Sequence, residues 1–140
     1  MIWGLLYLFL LFLTLIYAEI AKVPETRAAI RTLALASGFT LMAVLSGVNF
    51  ETASMMLTII DFAILGVFLV QALTSSRYWT LCLPAFQLIT CMAHLAKFAA
   101  PDIVSRVYSA GQGFWAYLQM AVILAAALWG SRQNQKLRRN

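Results

Sequence analysis

Long runs without a charged residue dominate the pattern of apolar and polar positions along this chain. These runs cover residues 1–18, 32–50, 62–76, 78–96 and 107–131. A helix that crosses a bilayer needs about 20 mostly apolar residues, and each run approaches or exceeds that length. The pattern therefore predicts five transmembrane helices. They are placed at residues 2–21, 32–48, 52–73, 80–98 and 107–130.

Helices explain these runs better than membrane β-strands do. A barrel strand alternates apolar and polar residues over about 10 positions, whereas residues 5–10 are apolar at every position. The first run lacks a basic n-region, so we expect a retained span and not a signal peptide. The predicted fold class is all-α, a polytopic bundle of five membrane helices, with residues 1–131 as one domain and 132–140 as a basic tail.

The positions of lysine and arginine predict the orientation. The basic residues of the first loop, the third loop and the tail are Lys22, Arg27, Arg31, Arg77, Arg132, Lys136, Arg138 and Arg139. Lys97 and Arg106 flank the fourth loop, on the opposite side of the membrane if there are five spans. Cytoplasmic loops carry the excess of basic residues. The N-terminus is therefore predicted outside and the C-terminus in the cytoplasm.

Composition supports a membrane protein and excludes several other classes. The chain has 140 residues, of which 63% are apolar and 11% charged, whereas soluble domains are about 45–50% apolar and about 25% charged. A soluble domain and a nucleic-acid-binding module are therefore not expected. The compact chain and the lack of a targeting peptide favour a bacterial inner membrane.

The net charge of +5 comes mainly from the tail. Arg132, Lys136, Arg138 and Arg139 follow the last predicted span directly. One interpretation is a topology anchor. The other is binding to anionic lipid headgroups, worth about 1 kcal/mol per basic residue near the surface.

Asp61 is the residue that departs most from the apolar pattern, because it lies near the middle of the third predicted span. Aspartate at the bilayer centre costs about 2.5–3.5 kcal/mol on insertion scales and marks a candidate functional site. The functional interpretation is a proton or cation relay. The structural interpretation is a protonated acid that hydrogen-bonds to a neighbouring helix.

The fourth predicted helix supplies the expected partners of Asp61. Gln87, Cys91 and His94 share one stripe because they are spaced i, i+4, i+7. In an antiparallel hairpin Asp61 is level with about Gln87–Cys91, so Gln87 or Thr90 is the expected partner. Contact with His94 would need a tilt, a water or a register shift. Gln119 of the fifth helix is interpreted as part of a packing face, with a polar path as the alternative.

Other kinds of chemistry have no support in the sequence. Cys91-x-x-His94 is a weak metal signal, since zinc needs three or four protein ligands and the chain has a single histidine. No metal site and no cofactor are predicted. No set of nucleophile, base and acid is present and the loops are short, so we do not expect an enzyme.

Three functions are compatible with these features. The first is a non-catalytic accessory or structural subunit that binds a larger membrane protein. The second is a small transporter or channel, a homo-oligomer, that uses Asp61 with Gln87, His94 and Gln119. The third is a pore-forming or lysis protein, which the basic tail suits but five spans and a central aspartate do not.

Overall fold

The structure is a computed structural model that describes residues 2–47, 50–99 and 101–137, with side chains for 4–43, 45–47, 52, 54–99 and 114–133. Its helices are α1 (Ile2–Ala21), α2 (Pro24–Leu45), α3 (Phe50–Thr74), α4 (Cys82–Ala99) and α5 (Pro101–Leu137), with a short 3₁₀ helix at Tyr78–Leu81 before α4. No strand occurs in these ranges. The predicted all-α fold class is confirmed.

Four segments of the described chain are long and apolar enough to cross a membrane. They are Gly4–Ala21, Ser54–Thr74, Tyr78–Ala99 and Phe114–Gln133. The α2 helix is not among them, and its first two turns carry Glu25, Arg27 and Arg31. These helices are compatible with an integral membrane protein.

A tight corner joins α1 to α2. Lys22 adopts a left-handed conformation with φ of 56°, and Pro24 then starts α2 where its missing N–H costs no hydrogen bond. Across this corner the Glu19 carboxylate pairs with Arg31 at 2.7 Å and with Arg27 at 3.3 Å. The three charged side chains thus hold the end of α1 against the beginning of α2.

The five helices form a closed bundle in which α2 also packs against α5. Each packs against its neighbours in chain order, and α5 returns to pack against α1. The fully buried apolar side chains Ile30, Phe68, Leu83 and Ile123 all belong to the end of the bundle where α1 finishes. There a Cβ on Gly130 would lie only 2.6 Å from Val23 Cγ2, so α5 closely approaches the α1–α2 corner. This end is solidly packed, which leaves the opposite end for a site.

Candidate functional site

The structure brings Asp61, Gln87, His94 and Gln119 into one hydrogen-bonded network. Asp61 Oδ2 lies 2.6 Å from His94 Nε2. Asp61 Oδ1 accepts a bond of 2.9 Å from Gln87 Nε2, and Gln87 Oε1 accepts one of 3.0 Å from Gln119 Nε2. Three helices, α3, α4 and α5, are therefore connected through polar side chains at the level of Asp61.

The direct contact between Asp61 and His94 differs from the sequence-based expectation, which favoured Gln87 or Thr90 over His94. Side chains on a helix lean toward its N-terminus. Helices α3 and α4 are antiparallel, since Lys97 Nζ also donates to Ser54 Oγ over 2.8 Å. Asp61 and His94 therefore lean toward each other, and this closes the axial offset without a bridging water.

Burial differs sharply within the network. The exposed fractions are 1% for His94, 2% for Gln119 and 3% for Gln87, whereas the Asp61 side chain is 22% exposed. Asp61 is thus the most exposed member of the network, and the other three form its buried support.

Thr58 completes the network and was missed by the sequence analysis. Its Oγ1 lies 3.1 Å from His94 Nδ1 and donates a bond of 2.9 Å to the Ser54 carbonyl. Thr58 precedes Asp61 by three residues, so both lie on one face of α3. A search for hydroxyl residues on the face of Asp61 would have identified it.

The donors that these hydrogen bonds require define how many protons Thr58, His94 and Asp61 hold together. A threonine hydroxyl has one proton, and that of Thr58 goes to the Ser54 carbonyl. His94 Nδ1 must then donate to Thr58, so the bond between His94 Nε2 and Asp61 Oδ2 needs a further proton. In this arrangement the imidazole and the carboxylate together are neutral and hold one proton on the bond between them.

A second arrangement keeps the contacts of His94 and Asp61 with one proton fewer and gives up the Thr58 bond to the Ser54 carbonyl. The Thr58 hydroxyl rotates to donate to His94 Nδ1, and His94 Nε2–H then donates to an ionised Asp61. Gln87 Nε2 donates to Asp61 in both arrangements. The site can therefore bind and release one proton with no change except the rotation of one hydroxyl.

Polar groups continue from this pair toward both ends of α4. On one side lie Ser54 and Lys97, and on the other Gln119 Nε2 donates to the Leu83 carbonyl over 3.2 Å. Leu83 and Lys97 are 14 positions apart, which is about 21 Å along a helix. Gln87 and Gln119 are neutral amides, whereas the Thr58 hydroxyl on the other side of the pair can both donate and accept a proton.

A cavity of about 410 Å³ adjoins the network. Side chains from all five helices line it, and the polar ones include Tyr7, Ser37, Asp61, Gln87 and Thr90. Its α1 lining starts at Gly4, so it occupies the end of the bundle where α1 begins. Most of the lining is apolar, and among the described residues that form it Asp61 alone carries a formal charge.

The remaining predicted features lie elsewhere or outside the described residues. Across the described part of the chain, no three His, Cys, Asp or Glu residues are grouped to hold a metal. Arg132 is exposed near the end of α5. The side chain of Lys136, and all of Arg138 and Arg139, lie outside the described residues.

Comparison with protein-family models, with curated proteins and with solved structures finds no match to this chain. The Asp61–His94 pair and the cavity beside it are the two features of the described chain that bear most on function. These two features adjoin each other through a single residue, Asp61.

Proposed function

We propose that this protein is a small proton-linked membrane transporter. The observation that carries the proposal is the position of Asp61, which contacts His94 at 2.6 Å and also lines a cavity of about 410 Å³ inside the bundle. In this mechanism the pair holds the exchangeable proton and the cavity holds the solute. Occupation of the cavity and loss of the proton are coupled because both involve the Asp61 carboxylate.

The cavity favours transport over a purely structural role for Asp61. Gln87 and Gln119 also line the cavity, but they are neutral amides that are 3% and 2% exposed, whereas the Asp61 side chain is ionisable and 22% exposed. A charged residue placed at the wall of an open space inside a bundle is the usual arrangement for a substrate or ion pathway.

The other two interpretations stay predictions from composition. No contact in the described part of the chain particularly favours an accessory subunit that binds a larger membrane protein, or a pore-forming or lysis protein. The transporter, which was the second of the three sequence-based interpretations, takes first place because of the cavity.

We further propose that α2 also crosses the membrane, which gives five spans in all, and that the membrane is a bacterial inner membrane. The stretch of α2 from residue 32 to 45 carries no charge, and Arg27 and Arg31 precede it. The end of the bundle that holds these arginines also holds Arg77 and Arg132. The rule that basic residues stay in the cytoplasm assigns that end inward, so the cavity lies in the outer half.

The orientation is tested by locating the two termini. We expect a fluorescent protein fused to the C-terminus to fluoresce in the cytoplasm, and an epitope tag at the N-terminus to be accessible from outside intact spheroplasts. Five spans require this difference because each span changes the side. Both termini on one side would contradict five spans and leave α2 outside the membrane.

Proton-linked transport is tested in vesicles with one solute of each charge class. Purified protein is reconstituted into liposomes that contain a pH-sensitive dye, and an organic cation, an organic anion or a neutral amphiphile is added outside. We expect at least one class to drive proton movement faster than in protein-free vesicles. Equal rates with and without protein for every class would overturn the proposal.

A further inference from the structure

We infer that the cavity binds a small organic cation with an apolar body, and that binding displaces the proton of the Asp61–His94 pair. This inference rests on the proposed transport function and names its substrate class. Three properties of the cavity support it: its size, its apolar lining and its single charge.

The size and the lining of the cavity indicate a small ligand with an apolar body. Pockets for small organic molecules measure about 300–1,000 Å³ and are lined mainly by apolar side chains. The cavity lies at the lower end of that range with about 410 Å³. Leu8, Leu33, Leu41 and Leu57 contribute to its wall. A hydrated inorganic ion would not make close van der Waals contacts with these side chains, whereas an aliphatic or aromatic group would pack against them and fill the space.

The negative charge of the Asp61 carboxylate indicates that the ligand is a cation. Asp61 Oδ1 and Oδ2 already accept bonds from Gln87 and His94, but the carboxylate remains partly exposed to the cavity. No arginine or lysine is among the described residues that line it. An anionic solute would therefore meet no cationic side chain in this lining and would be repelled by the ionised carboxylate, while a cation is attracted in a space of low polarity.

The exchange balances in charge and in protons. Before binding, His94 Nδ1 and the His94–Asp61 bond each hold a proton, and the pair is neutral. The cation enters, the proton of His94 Nδ1 passes to Thr58, and the Thr58 hydroxyl releases one proton to the buffer. His94 Nε2–H then remains hydrogen-bonded to the ionised carboxylate beside the cation. One positive charge replaces another, so the buried site gains no net charge and avoids the cost of an unpaired ion.

The groups around Asp61 favour this assignment of the proton. Its titratable neighbours are Tyr7 of α1, Cys91 and His94 of α4, and, behind Tyr7, Tyr117 of α5. Lys97 lies one turn beyond His94 and donates to Ser54. The residues of α2 that line the cavity include Ser37 and Thr40 but none that titrates. Among the described residues, His94 is the titratable side chain that contacts the carboxylate directly, at 2.6 Å.

The inference is tested by calorimetry on the full chain in nanodiscs, with benzyltrimethylammonium as the cation. This probe keeps its charge at every pH and carries no proton of its own. Benzyl alcohol and benzenesulfonate are the neutral and anionic controls. We expect the cation to bind at least tenfold more tightly than either control. Titrations in two buffers of different ionisation enthalpy should show up to one proton released per cation bound.

The pH dependence and two variants sharpen the test. Because proton and cation compete, affinity should fall up to tenfold for each pH unit on the acid side of the transition. Asp61→Asn should abolish binding, whereas Asp61→Glu, which keeps the charge, should retain it. Equal binding of benzyl alcohol, or cation binding without proton release, would overturn the inference.

Failure of this inference and failure of the transport proposal give different results. If an anion or a neutral amphiphile drives proton movement in vesicles and benzyltrimethylammonium does not bind, the substrate class is wrong and the transport function stands. If no solute class drives proton movement, the transport function itself is wrong.

Discussion

Replacement of Asp61 by asparagine is expected to reduce solute-driven proton movement in vesicles to the rate of protein-free vesicles. Asparagine has the shape of aspartate but neither the charge nor an exchangeable carboxyl proton. Its Oδ1 can still accept from Gln87, and its Nδ2 can donate to His94 Nε2, the atoms that Asp61 contacts at 2.9 and 2.6 Å. The variant should therefore fold and elute from size-exclusion chromatography as the wild type does.

Glu25→Gln is the matched control for this variant. It removes a carboxylate in the same isosteric manner, but from the first turn of α2 and away from the cavity. Its proton movement should equal that of the wild type. Undiminished proton movement in correctly folded Asp61→Asn would show that the proton does not pass through Asp61.

Replacement of His94 by leucine is expected to cause the largest loss of stability of any single change at this site. His94 is 1% exposed and is the only described side chain that gives Asp61 Oδ2 a partner. Removal of one member of a buried ion pair typically costs about 3–5 kcal/mol. The exposure of Asp61 to the cavity, 22% of its side chain, places the loss toward the lower end of that range.

The double variant Asp61→Leu/His94→Leu should recover most of this loss. Buried ion pairs that are replaced on both sides by apolar residues are often neutral or more stable. Gln87 keeps the Asp61 main-chain carbonyl as an acceptor, at 3.1 Å in the wild type. Unfolding of the purified variants in mixed micelles gives the comparison. A double variant as unstable as the sum of the two single variants would contradict a coupled pair.

The sequence predicted the helices well because the free energy of membrane insertion depends on local composition. The charge-free runs correspond to α1, α3, α4 and α5. The start of α2 differs from the predicted span, since the helix begins at Pro24 and not at residue 32. The first turns of α2 precede its apolar part and contain Arg27 and Arg31. Glu19 of the preceding helix forms ion pairs with both arginines.

The site was only partly predictable because it depends on side-chain direction and on helix rotation. Axial depth in a hairpin identified Gln87 as a partner of Asp61, but it placed His94 too far away since it ignored the lean of both side chains. The bond between Gln119 and Gln87 depends on how α5 is rotated against α4. The cavity depends on the spacing of five helices, which no pattern along the chain records.

The central claim, that the Asp61–His94 pair exchanges a proton, is tested most directly by nitrogen NMR of the protein in bilayers. The chain has one histidine, so labelling with ¹⁵N-histidine reports on His94 alone. As pH rises, we expect Nδ1 to change from a protonated donor toward Thr58 to an unprotonated acceptor, while Nε2 keeps a proton toward Asp61. An Nδ1 signal that stays the same over the whole pH range in which the protein is folded would contradict proton exchange at this pair.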